Sequence, residues 1–277
     1  MMMEAFEHWF GPYPFYEDGF KLVEVPYLGM EHQSSVTYGN GYQNGYRGYD
    51  LSGSGWGLKF DFIIIHESGH EWFANNITYK DIADMWVHEG FTAYSENLYL
   101  DYHLGKDASA DYVIGTRANI QNDRPIIGQY DVNHAGSGDM YYKGANMLHT
   151  LRQLLEDDEK WRMILRGLNK EFYHQTVTTQ QIENYVSQQS DIDLQEFFDQ
   201  YLRQKNIPTL NIKIDKKCLE YRWTKAVNGF DMPVKINVDG QEMWIQPTKE
   251  WQKKKQKQPI TKVEIDRNFY INQEISY

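Results

Sequence analysis

One cysteine, eight prolines, a deficit of positive charge and no long apolar run mark this 277-residue chain. A single thiol, Cys218, excludes an internal disulfide, and without supporting groups it is a poor nucleophile. Spanning a bilayer takes roughly 18 consecutive apolar residues, so no membrane span is expected. The formal net charge of −11 would repel nucleic-acid phosphates. No basic patch with interleaved aromatics offsets it, and Lys253-Lys254-Lys255 with Lys257 predicts a solvated loop. The start, Met1-Met2-Met3-Glu4, has neither a basic n-region nor an apolar h-region, so no signal peptide is expected. What the chain does have is 41% hydrophobic and 15% aromatic residues. That is enough for one large domain and a small one.

The most informative segment is His66-Glu67-Ser68-Gly69-His70, followed after eighteen residues by Glu89. On a helix, histidines at i and i+4 lie about 40° apart around the axis, so both imidazoles point one way. Glu67 sits beside the first histidine, where its carboxylate reaches a water on the same ion. Two nitrogen ligands and a general base on one helix form the zinc-protease arrangement. Glu89 supplies a third protein ligand from a second helix, leaving a fourth position open. Phe62-Ile63-Ile64-Ile65 before the motif and Trp72-Phe73 after it predict a buried helix. Buried His, Glu and His need a positive charge to hold them, and a divalent cation supplies it.

HESGHEWFANNIT followed by DMWVHEGFTAYSE resembles the gluzincin zinc aminopeptidases, the family of aminopeptidase N and leukotriene hydrolase. Two further segments are similar to family signatures and stand in the right order. Leu28-Gly29-Met30-Glu31-His32-Gln33 resembles the GxMEN exopeptidase motif, and Tyr141-Tyr142-Lys143-Gly144-Ala145 resembles YxKGA. Gly11-Pro12-Tyr13-Pro14-Phe15 resembles the start of the family's catalytic domain.

The resemblance implies one zinc per chain on His66, His70 and Glu89, with Glu67 as general base. It implies Tyr141 as the donor that stabilises the oxyanion, and Glu31 as the carboxylate that binds a free α-ammonium group. The Gly29-Met30 backbone would lie alongside the substrate; the departure is His32, where most members carry asparagine. Glu96, seven residues after Glu89 and within about 20° of the same helix face, is the candidate to hold a metal-bound histidine from behind. His88 lies on another face and is read as non-ligating.

Three functions remain open. The leading one is a zinc aminopeptidase acting on peptides with a free N-terminus. The second is a zinc endopeptidase or epoxide hydrolase on the same scaffold, and Glu31 argues against the endopeptidase. The third is a peptide-binding module without turnover, because the family places a β-rich domain ahead of the point where this sequence begins. A leader in such a preceding stretch would leave the compartment open, as the oligomeric state is.

The expected fold class is α+β. A mostly helical thermolysin-like catalytic domain with a small mixed sheet spans 1–206, and a small all-β sandwich spans 207–277. The pattern predicts a helix over 2–10 and strands over 21–25 and 34–38. Residues 39–57, with seven glycines, read as a mobile loop, either a connecting excursion or a lid. Helices are expected over 59–77, 82–103 and 107–121, and a loop over 122–138. Asp139 is expected to cap the helix carrying Tyr141, and Thr178/Gln181 and Asp193/Glu196 are expected to form capping boxes. After Pro208 the period becomes two, with turn signals at Asn228-Gly229 and Asp239-Gly240.

Overall fold

The computed structural model describes residues 1–276 and has the expected α+β architecture. Helix α1 (Met2–Phe10) buries Ala5, Phe6, Trp9 and Phe10, and the Phe6 ring meets Trp72 edge-on at 5.6 Å. A three-stranded sheet follows, with order β1-β3-β2, made of β1 (Leu22–Glu24), β2 (Gly29–Met30) and β3 (Val36–Tyr38). The short β2, absent from the pattern-based expectation, is the Gly29-Met30 pair itself. It runs antiparallel to β3 and forms a sheet edge.

The stretch over 39–57 is laced by polar contacts within itself and to its neighbours. The Asn40 amide donates to the Gln43 and Gly45 carbonyls at 2.8 and 3.0 Å. Asp50 accepts from the Ser52 backbone and hydroxyl, and the Trp56 indole donates to Asp111 at 3.2 Å.

Helix α2 (Phe62–Gly69) is shorter than the expected 59–77. Asp61 caps it by accepting from the Ile63 and Ile64 amides. Beyond His70 the backbone leaves helical geometry at Phe73 (φ −123°, ψ 76°) and Ala74. The chain must turn there, because β4 (Ile77–Tyr79) pairs in parallel with β5 (Gln175–Val177). Helix α3 (Trp86–Leu104) is buried through its first fifteen residues, and α4 (Lys106–Gly115) packs beside it.

Four more helices complete this part: α5 (Tyr142–Leu155), α6 (Asp158–Glu171), α7 (Thr179–Ser190) and α8 (Gln195–Arg203). Two capping expectations fail. Ser137, not Asp139, caps the turn before α5, while the Asp139 carboxylate is taken by the Gln121 and Asn122 amides at 2.9 and 2.6 Å. Asp193 accepts from the Gln195 amide, but α8 starts at Gln195 without a side-chain cap, so Glu196 closes no box. The Thr178/Gln181 box does form on α7. Thr178→Ala is expected to cost about 1 kcal/mol in denaturant unfolding; an unchanged midpoint would show that the cap adds nothing.

After Thr209 the chain is all β. Strands β6 (Thr209–Asp215), β7 (Cys218–Thr224), β10 (Gln252–Lys255) and β12 (Asn272–Ser276) form a sheet of order β10-β7-β6-β12. Strands β8 (Val234–Val238), β9 (Gln241–Ile245) and β11 (Val263–Ile265) form a second, of order β11-β8-β9. Leu210, Ile212, Leu219 and Trp223 of the first sheet share a buried core with Val234, Ile236, Val238 and Ile245 of the second.

Asp239-Gly240 closes the β8–β9 hairpin with φ of 51° and 90°, as a type I′ turn requires. Asn228-Gly229 makes no hairpin: it connects β7 to β8, which lie in different sheets. The lysine run is not a loop either. It forms the edge strand β10, where exposed lysines discourage further strand pairing, and Lys253 reaches Glu220 at 2.6 Å.

Candidate metal centre and active site

Asp61 sets where α2 starts, and the Tyr38 hydroxyl and the Asn40 amide fix its carboxylate in turn. One turn apart on and just past α2, the His66 and His70 rings lie 5.0 Å centroid to centroid. Their Nε2 atoms both face Glu89 Oε2 on α3, at 3.5 and 3.3 Å. All three side chains are buried. Their ligand atoms lie within 4.8 Å of one another, yet among the described residues Glu89 Oε2 has no hydrogen-bond partner. A buried carboxylate oxygen and two imidazole nitrogens turned to one point form a donor set that fits a divalent cation.

The charges agree with that fit. Burial alone would strip protons from both imidazoles, but Glu89, joined at His66 by Glu96, outweighs it and holds both pKa values above the usual range. Burial pushes Glu89 up, and the two histidines more than reverse this, holding its carboxyl well below the carboxylate range. The cluster lacks positive charge, which extra protons or one divalent ion can supply.

The outer nitrogens of both rings are already engaged. His66 Nδ1 lies 2.8 Å from Glu96 Oε1. His70 Nδ1 lies 3.1 Å from the Phe73 carbonyl and 3.1 Å from Thr92 Oγ1. That carbonyl is available because the helix breaks at Phe73, which the apolar pattern did not signal. His88 points elsewhere and accepts from the Tyr79 amide at 2.9 Å.

Glu67 is buried, and burial raises its pKa above the usual carboxylate value. Strand β2 crosses over it closely. A Cβ on Gly29 would come within 2.5 Å of Ile63 Cγ2 and 3.2 Å of Glu67 Cγ, so only glycine lets the strand lie this near. Met30 is exposed beside it. Glu31 brings a carboxylate oxygen within 4.8 Å of ligand atoms of Glu67 and His70. The broken segment after His70 anchors this stretch: Asn75 donates to the Glu31 carbonyl at 3.0 Å, and buried Glu71 accepts from the Ser34 amide at 2.7 Å.

Tyr141 precedes α5, its ring 6.0 Å from that of His66. Burial, then Glu89, pushes its pKa above the ordinary value, so the hydroxyl stays a donor. Its approach depends on two facing glycines, since a Cβ on Gly144 would lie 3.0 Å from the Gly90 Cα. Burial, then the charge of Glu96, raises the Tyr142 pKa. Lys143 is buried and donates to the Gln204 and Lys205 carbonyls, holding the end of the helical part. The structure thus gathers His66, Glu67, His70, Glu89, Glu96, Tyr141, Glu31, Gly29 and Met30 in one place. Asp61 and Thr92, which hold this cluster, were not singled out from the sequence, although Asp61 before an apolar run carried a readable cap signal.

The chain is 27% identical over 189 residues to endoplasmic reticulum aminopeptidase 1 of Mus musculus, covering 63% of this chain and 20% of that protein. It spans about a fifth of the length of the curated relatives it matches. The M1 zinc metallopeptidase from Deinococcus radiodurans superposes with a TM-score of 0.58 at 21% identity, over 74% of this chain and 44% of that one. Legionella pneumophila aminopeptidase A, in complex with aspartic acid, covers all of this chain and 34% of its own, with a TM-score of 0.71 at 14% identity. The family model described as the peptidase family M1 domain matches residues 2–201, and the chain belongs to that family.

Proposed function

We propose that this chain is a zinc-dependent aminopeptidase that hydrolyses the first peptide bond of peptides with a free N-terminus. The observation that carries the reading is the orphaned Glu89 Oε2 facing two imidazole nitrogens, with Glu67 and Glu31 at its border. His66, His70 and Glu89 would hold one zinc ion per chain. Zinc in such a site lowers the pKa of a bound water and polarises a carbonyl.

The chain's own groups then have distinct tasks. Glu67, its proton affinity raised by burial, takes the proton of the attacking water and passes it to the departing amine. The Tyr141 hydroxyl donates to the carbonyl oxygen as negative charge develops there. The free edge of β2 offers Gly29 and Met30 backbone groups to an extended substrate. Glu31 pairs with the α-ammonium group at the end of that substrate. Glu96 positions His66 from behind, as metal-bound histidines require. We assign this chemistry to a catalytic unit over 1–206 and a β-sandwich unit over 207–277.

Glu31 separates this function from endopeptidase action, which has no use for an amine-binding carboxylate. Aminoacyl-anilides and free peptides are expected to be cleaved, and the N-acetylated peptides to be cleaved far more slowly. Equal turnover of free and acetylated peptide would overturn the aminopeptidase assignment.

A further inference from the structure

Tyr112 lies on α4, outside the cluster of metal-ligating and substrate-facing groups, yet its hydroxyl donates to Glu96 Oε2 at 2.6 Å. The other oxygen of that carboxylate, Oε1, is the one 2.8 Å from His66 Nδ1. Both oxygens of Glu96 are therefore committed, each to a partner on a different helix. Glu96 and Tyr112 are each 1% exposed, so no solvent can replace either partner. Tyr112 is itself fixed by packing, with its ring 5.6 Å from Phe60, just upstream of α2.

We propose that Tyr112 is a positioning residue for the metal ligand His66, acting through Glu96. This rests on the zinc reading given above. A carboxylate held by one donor alone can rotate about its last bond. A second donor on the opposite oxygen fixes the plane of the group and so the direction in which Oε1 meets the imidazole. With Nδ1–H donating to Oε1, the lone pair of His66 is confined to Nε2, which faces His70 and Glu89. The two histidines are thus supported differently: His70 by a main-chain carbonyl and Thr92, His66 by a two-step side-chain chain that ends on α4. Through this chain of contacts α4 reaches the metal centre at His66.

Tyr112→Phe removes one oxygen and keeps the ring against Phe60. The zinc affinity of the full chain, measured by competition with a chromophoric chelator, is expected to fall roughly 10-fold or more. Melting of the metal-free protein is expected to change little. The Tyr112→Phe/Glu96→Ala pair is expected to bind zinc no more weakly than Glu96→Ala alone, because the tyrosine acts through the glutamate.

Wild-type zinc affinity in Tyr112→Phe overturns the proposal, as does a lower melting temperature with unchanged affinity, which is what a merely structural tyrosine would give. Should Tyr112→Phe fail to fold, Tyr112→Met decides: it likewise offers no donor to Glu96 Oε2, so undiminished zinc affinity there overturns the proposal and a loss supports it. Failure of the wild-type chain to bind zinc at all would instead overturn the zinc reading itself.

Discussion

Replacing Glu67 with glutamine is expected to lower the turnover of an aminoacyl-anilide by roughly 10²–10⁴-fold, the usual contribution of a positioned general base. Zinc content is expected to stay at the wild-type level. Glutamine keeps the shape of the side chain, so the close passage of β2 at Gly29 is undisturbed. The ligand atoms on His66, His70 and Glu89 are untouched, and their convergence does not run through Glu67. Only the ability to hold a proton is lost. Burial makes Glu67 a stronger base than a surface carboxylate, which suits it to accept a proton near neutrality and release it again. Metal analysis beside kinetics separates the possibilities. Full activity in a variant with full zinc would exclude Glu67 as the base, whereas lost zinc would mean that it helps to hold the ion.

How much of this could be read before the fold was known depends on where each contact lies along the chain. His66 and His70 are one helical turn apart, so their common direction follows from helix geometry, and the apolar residues around them declared burial. Strands after Pro208 and the Asp239-Gly240 turn were legible for the same reason: period-two alternation and a residue pair suited to positive φ are local signals. The end of α2 was not legible. The apolar pattern continues through Trp72 and Phe73, and what turns the chain is the pairing of β4 with β5, ninety-odd residues away. The Asp139 and Asp193 caps failed similarly. Each carboxylate does accept backbone amides, but Asp139 is claimed by Gln121 and Asn122 from another segment. Tyr112 carried no signal at all, because one tyrosine among 21 is marked only by the carboxylate it meets in space.

Long-range contact also governs the largest expected loss of stability, that of Arg152→Met. Arg152 on α5 is 5% exposed and donates to Asp101 at the end of α3 and to Asp158 at the start of α6, both at 2.8 Å. Its guanidinium also lies 5.0 Å over the Trp9 ring of α1. One side chain therefore joins four helices, of which α3 carries Glu89. Methionine would fill much of the space, but Asp101, only 12% exposed, would be left with an uncompensated charge. Removing one partner of a buried pair costs about 3–5 kcal/mol. Chemical denaturation should register that loss, and a change below about 1 kcal/mol would show the pairs to be worth no more than surface ones. Acid adds an independent check. Burial pushes Asp158 up, yet Arg152 and Lys106 outweigh it and hold its carboxyl at about 2, below its ordinary 3.8. A carboxylate with a depressed folded-state pKa stabilises fully above its unfolded value, and that contribution disappears as pH falls through the folded one. The wild-type protein should therefore lose stability between pH 3.8 and about 2. In Arg152→Met this loss should shrink, because the guanidinium that depresses the pKa is gone; an identical acid profile in the two proteins would mean that Lys106 alone sets it.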